Sequence, residues 1–251
     1  MNTEVTSLTI FGCLVVAVWL GRWLRRLLPE HHLSSDTKDA VKLAMGLVAT
    51  MSALLLGLLV SSAKGSYDAV RGQVIQMSAK AVFLDRILAA YGPEAAEARA
   101  RYRESIEENI HCLWPEDRSR PVDLAAPTQA GNRVYLAIQH LAPQTDDQRA
   151  LKAQGVSAVV ELGQVRTLLT AQSIPSISTP MLVVVVCWLF VIFLSFSLLA
   201  PPNATATLAL LVSAFSVAGA IFLIMELDRP FGGLIRISSQ PMLNALSQFA
   251  K

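Results

Sequence analysis

Charged residues are scarce in this sequence of 251 residues, and cysteines are few. Asp, Glu, Lys and Arg together make up 16% of the chain, whereas an ordinary soluble domain carries about 25%. The net charge is only +2, which argues against a nucleic-acid-binding protein. The three cysteines cannot form a disulfide framework, and their positions lack the spacing of a zinc site. These absences argue against a small secreted module and a disordered chain.

Apolar residues are abundant instead, at 53% of the chain, and the mean hydropathy is +0.46. Most of the charge lies in residues 63–179, which hold 13 basic and 13 acidic residues. A transmembrane helix needs about 20 mainly apolar residues, and segments 6–24, 41–62, 181–200 and 204–227 meet this requirement. The sequence therefore predicts an all-α, polytopic membrane protein with a helical soluble insert between spans two and three.

The predicted organisation has four parts: a transmembrane hairpin at 1–62, the insert at 63–179, a second hairpin at 180–227 and a C-terminal tail at 228–251. The first span is the weakest, because Gly21 and Arg22 interrupt it. Apolar residues of the insert recur every three or four positions, which predicts amphipathic helices. This pattern runs from span two to Tyr91 without a break, so we expect one long helix that ends before Gly92-Pro93.

The residue patterns of enzymes are absent from the sequence. It contains no phosphate-binding loop, nucleotide fingerprint, nucleophile elbow or carboxylate dyad. No enzyme, cofactor or metal site is therefore predicted. No ionisable residue lies deep in a span, although such residues mark proton-coupled transporters. Two functions are compatible with these absences. One is a passive pore, and the other is a non-conducting membrane scaffold whose insert binds a soluble partner.

Two neighbouring stripes on span two are candidates for function. One stripe consists of small residues at four-residue spacing: Ala49, Ala53, Gly57, Ser61 and Gly65. Small residues let helices approach closely, so this stripe indicates helix packing or, alternatively, a surface that lies beside a pore or acts as a hinge. The second stripe consists of Thr50, Leu54 and Leu58. If several copies met around an axis, it would form an apolar constriction that gates by dewetting; contact with lipid or another helix is the alternative.

Two segments of the sequence resemble a known family. The run Gly-Leu-Leu-Val at 57–60 and the later Tyr-Asp pair resemble the end of the second bestrophin helix. Segment 226–238 is similar to the Glu-Leu-Asp-Arg-Pro-Phe-x-Gly signature, with a following Ile-x-Ile-Ser, of the bestrophin-like family of bacterial membrane proteins. The order of two spans, an insert and two spans agrees. The residues that carry the resemblance are Tyr67, Asp68, Glu226, Asp228, Arg229, Pro230, Phe231 and Gly233.

Members of this family are distant relatives of the bestrophin anion channels, and the resemblance has several implications. It implies a homo-oligomer in membrane lipid, a pentamer if bestrophin-like, that passes small anions. It places Thr50, Leu54 and Leu58 near the hydrophobic neck of the pore. It also implies a multi-pass protein of the bacterial inner membrane with a cytosolic insert and cytosolic termini. The basic residues beside the spans, six on one side and five on the other, do not decide this orientation.

Overall fold

The structure is a computed structural model that describes residues 3–27, 35–115, 128–173, 177–201 and 203–249. These ranges are mainly helical and contain no β-strand, which confirms the predicted fold class. A short 3-10 helix at Pro93–Ala95 separates α2 from α3. The α-helices are α1 (Thr3–Leu27), α2 (Ser35–Tyr91), α3 (Ala96–Leu113), α4 (Thr128–Gln139), α5 (Asp146–Gln172), α6 (Thr179–Leu199), α7 (Ala204–Leu227) and α8 (Gln240–Gln248).

Four of these helices, α1, α2, α6 and α7, are long and apolar enough to cross a membrane. The mean hydropathy of their most apolar 18-residue windows lies between 1.8 and 2.9. Their positions agree with the four predicted spans. The first of them extends beyond the predicted 6–24 at both ends and is not interrupted at Gly21. The chain is therefore a helical membrane protein.

Gly21 is a point of close approach between α1 and α6. A Cβ atom at this position would lie 2.5 Å from the Leu194 carbonyl oxygen and 2.9 Å from Ser197 Cβ. The Ser197 hydroxyl donates a hydrogen bond of 2.5 Å to the Val18 carbonyl oxygen. The glycine that weakens the hydropathy signal of span one is thus the residue that lets two membrane helices pack closely.

The chain divides into two compact units, and the first comprises Met1–Gly65 and Ser176–Asp228. Its core forms where α1, α6 and α7 pack together, with Leu14, Val185 and Ile221 fully buried. The contribution of α2 to this core is small: Leu59 and Ala63 are its buried apolar residues there. Most of the membrane part of α2 is consequently left uncovered by the other described residues.

The second unit comprises Ser66–Pro175 and Arg229–Lys251. Its core is built on the C-terminal part of α2, which buries Val70, Val74 and Leu84 at helical spacing. The single helix from Ser35 to Tyr91 confirms the predicted long helix. It ends at Gly92, whose φ of 116° lies in the region that glycine adopts readily and other residues rarely do.

Helix α8 is an element that the sequence did not predict. Met242, Ala245 and Phe249 are buried in the second unit, and the Phe249 ring stacks on Tyr102 with ring centroids 5.5 Å apart. Arg99 Nη2 donates a hydrogen bond of 3.0 Å to the Phe249 carbonyl oxygen. The segment that follows residue 228 therefore supplies part of this core.

Candidate functional site

Among the described membrane helices, the membrane part of α2 is the one that the other described residues cover least. Only 11% of the residues in its most apolar window are buried, whereas the corresponding windows of α1, α6 and α7 are 28–33% buried. Its buried residues, among them Ser52, Leu59 and Ala63, lie on one side of the helix. Because an α-helix repeats every 3.6 residues, its other sides face away from the remaining described residues of the chain.

Leu54 and Leu58 lie on the uncovered side, away from the buried residues. Their side chains are 70% and 55% exposed, and Thr50 is also exposed. The Thr50 hydroxyl donates a hydrogen bond of 2.9 Å to the Gly46 carbonyl oxygen on the same helix, which satisfies its donor. The exposed large apolar residues that share this side are Leu43, Leu47, Met51, Leu54 and Leu58.

The small-residue stripe lies beside these leucines and is exposed for most of its length. Ala53, Gly57, Ser61 and Gly65 are exposed, and Ala49 is partly buried. A Cβ atom at Gly57 or Gly65 would meet no atom within 4 Å in the described part of the chain. The stripe therefore packs against no other helix of the same chain among the described residues, and close packing at this stripe would need a second molecule.

The uncovered side carries no charge. Residues 43–63 contain no Asp, Glu, Lys or Arg, so an aqueous path along this side would be lined by leucines, small residues and hydroxyl groups. Such a path offers no ring of fixed charge and no proton-binding group. It can select and gate only by its width, its dewetting and its backbone and hydroxyl contacts.

The signature segment begins with two buried acids at the end of α7. Glu226 is 2% exposed and Asp228 is 9% exposed, and both take part in polar interactions. The sequence placed Glu226 at the end of a span, and the structure places it in the last turn of the helix. Charged groups are rarely so buried unless they are paired, which indicates a structural or functional requirement for them.

The remainder of the signature forms a loop in the second unit. The Ile237 N–H donates a hydrogen bond of 2.8 Å to the Pro230 carbonyl oxygen and so closes the loop. Phe231 is buried and packs edge-to-face on Trp114, with centroids 5.7 Å apart. The Trp114 indole N–H donates a bond of 2.8 Å to the Ile237 carbonyl oxygen. Gly233, with a φ of 80°, makes the turn possible.

Sequence reasoning missed Trp114, although a signal for it exists. It is the single tryptophan of the insert, and a buried tryptophan usually finds a partner for its N–H. The other signature residues are placed separately in the structure: Tyr67 packs against the second core, Asp68 is exposed and Arg229 is partly buried. Among the described residues, no group of three His, Cys, Asp or Glu side chains could hold a metal ion.

Comparison with known proteins gives a family match over most of the chain. Residues 12–242 match the model of the Bestrophin-like domain. Among curated proteins, none matches the sequence significantly. The matched residues include α1 from residue 12 onward, the other three membrane helices, the insert and the complete signature segment.

Several solved structures have the same fold at low sequence identity. A variant of a bacterial bestrophin homologue from Klebsiella pneumoniae is 16% identical, with 99% of this chain and 98% of that chain covered and a TM-score of 0.65. A second variant of that homologue is 14% identical, with coverages of 100% and 99% and a TM-score of 0.68. The structure of a membrane protein is 15% identical, with coverages of 97% and 99% and a TM-score of 0.71.

Proposed function

The chain belongs to the Bestrophin-like family, as the signature at 226–238 predicted, and on this premise we propose that it forms a homo-oligomeric channel for small anions in the bacterial inner membrane. The pore is lined by α2, and Leu54 and Leu58 form its constriction. The observation that carries this proposal is the uncharged, exposed side of α2, which the rest of the described chain leaves uncovered. Family membership supports the channel, and the exposure of α2 supports its position in the pore.

A ring of copies accounts for both stripes of α2 at once. Other membrane helices also expose leucines, such as Leu208 on α7 at 64%, and these can face lipid. What distinguishes α2 is that a stripe of five small residues lies beside its leucines on the membrane helix with the lowest buried share, 11% against 28–33% for the others. Small residues allow the helices of neighbouring copies to approach closely, and this packing would turn Leu54 and Leu58 towards the common axis. A bestrophin-like assembly of this kind is a pentamer.

The proposed constriction works by excluding water. In a narrow ring of leucines, water leaves readily, and an ion that enters loses part of its hydration shell without receiving a compensating charge. The barrier therefore depends on the width and polarity at positions 54 and 58. Replacing both leucines by alanine widens the ring, so it stays wet more often and conducts more.

The orientation that goes with this proposal puts the insert and both chain termini in the cytosol. This orientation rests on the family resemblance. The basic residues that flank the spans do not decide it, because their numbers on the two sides are nearly equal. A reporter that is active only in the cytosol, fused after residue 251, should be active in cells. Activity of a periplasm-specific reporter at the same position would overturn the orientation.

The channel is tested by anion flux from liposomes that contain the purified full-length protein. We expect chloride flux from the wild type, and a several-fold larger flux from the variant with Leu54→Ala and Leu58→Ala. Leu208→Ala is the matched control, because it removes an equally exposed leucine from another membrane helix and should leave the flux unchanged. Absence of flux from both the wild type and the double variant would contradict the proposal.

The assembly is tested separately by the mass of the protein in detergent. A pentamer supports the ring of α2 helices, and Gly57→Leu should weaken it because the bulky side chain separates neighbouring helices. Gly12→Leu is a suitable control, since a Cβ at Gly12 also meets no atom within 4 Å. A monomer that shows no flux would support the scaffold interpretation instead.

A further inference from the structure

Three arginines lie close together near the C-terminal end of α1. Arg25 and Arg26 belong to the last turn of this helix, and Arg22 lies one turn before them. Residues three or four positions apart are neighbours on a helix surface, and like charges at this spacing destabilise the helix. Arg22 is such a neighbour of both Arg25 and Arg26. An anion bound among the three guanidinium groups would remove this repulsion.

Arg22 is held at the turn between α6 and α7. Its Nη2 donates a hydrogen bond of 3.2 Å to the Asn203 carbonyl oxygen. This contact goes with the close approach of α1 and α6 at Gly21, which brings the ends of the two helices together. The acceptor is a neutral carbonyl, and residues 197–207 contain no charged side chain. The hydrogen bond therefore fixes the position of Arg22 without compensating its charge.

Arg25 contacts the protein with one part of its guanidinium group. Its Nη1 nitrogen is buried and has no hydrogen-bond acceptor in the described part of the chain, but the residue as a whole is only partly buried. The helix dipole favours a basic residue in the last turn, yet it supplies no acceptor for a buried donor, and such a donor is unfavourable. The charge of Arg25 is thus available to an anion from outside.

The acidic residues that follow in the sequence do not neutralise this end of the first unit. Residues 20–42 contain five Lys or Arg and three Asp or Glu. Among the described acids, Asp39 is paired with Lys42 at 3.0 Å. Arg26 is exposed, and neither it nor Arg25 has an ion pair with any residue that the structure describes. An excess of positive charge therefore remains at the three arginines.

Two tryptophans indicate the depth of this end of α1 in the membrane. Trp19 and Trp23 are 67% and 58% exposed, and each precedes an arginine, Arg22 or Arg26, by three positions. Tryptophans concentrate at the membrane–water interface, at the level of the lipid headgroups. Since an α-helix rises about 1.5 Å per residue, each arginine lies about one turn nearer to the water than its tryptophan. This is the level at which lipid phosphates are found.

We propose that Arg22, Arg25 and Arg26 bind the phosphate of an anionic phospholipid, whose acyl chains lie along the exposed side of α1. Guanidinium groups bind phosphate oxygens through two parallel N–H donors, and basic pockets between membrane helices suit anionic headgroups. A zwitterionic lipid is disfavoured, because its ammonium group adds positive charge beside the arginines. The proposal does not depend on ion conduction, since it concerns only the contact of the first unit with lipid.

The test is native mass spectrometry of the delipidated full-length protein in detergent, titrated with phosphatidylglycerol or with phosphatidylcholine of the same acyl chains. We expect phosphatidylglycerol to bind about tenfold more tightly, with one tightly bound molecule per chain. Arg25→Gln should weaken its binding about tenfold, because charge-assisted hydrogen bonds to the phosphate are lost. Arg71→Gln is the matched control, since Arg71 is an exposed arginine of the second unit and its loss should leave lipid binding unchanged.

A second variant separates the charge of Arg25 from its geometry. Arg25→Lys keeps the positive charge but loses the planar pair of donors, so we expect it to weaken phosphatidylglycerol binding only a few-fold. The melting temperatures of both Arg25 variants without lipid should stay close to that of the wild type.

Three results would overturn the proposal. One is equal affinity of the wild type for the two lipids, and another is equal phosphatidylglycerol binding by Arg25→Gln and the wild type. A parallel loss of phosphatidylcholine binding in Arg25→Gln is the third, because the preference for an anionic headgroup would then not depend on Arg25. Inorganic phosphate serves as the water-soluble probe. If it raises the melting temperature of the lipid-free protein as much as phosphatidylglycerol does, the site binds a free anion and the proposal is also overturned.

Discussion

Replacing Arg99 by methionine should destabilise the second unit far more than the loss of an ordinary ion pair. Arg99 Nε and Nη2 bind the two carboxylate oxygens of Asp85 at 2.6 and 2.8 Å, which joins α3 to α2. Nη2 also binds the Phe249 carbonyl oxygen just after α8. The Asp85 side chain is only 6% exposed, and that of Arg99 is 34% exposed. The hydrogen bond to Asp85 raises the pKa of Arg99.

The expected magnitude follows from the burial of Asp85. Removing one partner of a buried ion pair costs about 3–5 kcal/mol, because the other charge stays buried without compensation. Arg99 is a third exposed, so water can enter when it is removed, and we expect a loss of about 3 kcal/mol. Arg101 and Glu97 form the control pair on the same helix, with side chains 50% and 77% exposed. Arg101→Met should cost only about 0.3–0.5 kcal/mol.

The two variants are compared by chemical unfolding of the full-length protein in detergent, followed by circular dichroism. The variant that carries both Arg99→Met and Asp85→Asn should recover part of the stability, because it no longer buries a charge. A difference below about 1 kcal/mol between Arg99→Met and Arg101→Met would refute the reasoning, since it would mean that Asp85 remains hydrated in the folded protein.

Three further predictions concern other contacts. Gly21→Ala should lower the stability of the full-length protein in detergent by about 1–3 kcal/mol, since the new methyl group clashes with the backbone of α6; unchanged stability would contradict the close approach of these helices. Trp114→Phe should cost about 1 kcal/mol in chemical unfolding, because the Ile237 carbonyl loses its donor; a neutral effect would mean that water replaces the indole. Lys80 lowers the pKa of the Glu161 carboxyl, mainly through their hydrogen bond. A lowered folded-state pKa stabilises the protein above the ordinary Glu value and loses this effect as the pH falls through the lowered value. Lys80→Met should therefore destabilise near neutral pH, and its difference from the wild type should shrink below a pH of about 4; a difference that does not depend on pH would refute this origin.

The sequence by itself determined the four membrane spans and the end of the long helix α2. The four spans follow from runs of apolar residues, and the extension of α2 to Tyr91 follows from an unbroken helical period. Gly92-Pro93 ended that helix in the sequence and in the structure. These features depend on local composition and on backbone preferences of single residues, so they need no knowledge of the tertiary contacts.

The sequence also located the candidate stripe on α2 but could not say what it contacts. Its residues follow from helical spacing, whereas the exposure of Leu54 and Gly57 depends on where α1, α6 and α7 lie. The family signature at 226–238 was recognised from the sequence as a motif of residue types. In the structure, Phe231 of this signature packs on Trp114. These two residues are far apart in the sequence, and no periodic pattern connects them.

Only the tertiary structure showed which residues that look unremarkable or unfavourable in the sequence make specific contacts in the folded protein. Gly21 looks like a defect of span one and is the place where α6 approaches. Residues 240–248 show no strong signal and form α8 against the second core. In the sequence, Asp85 and Arg99 are two of the equal numbers of acidic and basic residues in the insert. In the folded protein, Asp85 is buried and paired with Arg99. In each case the deciding energy comes from burial and from partners distant in the chain, which are properties of the folded molecule and not of any local segment.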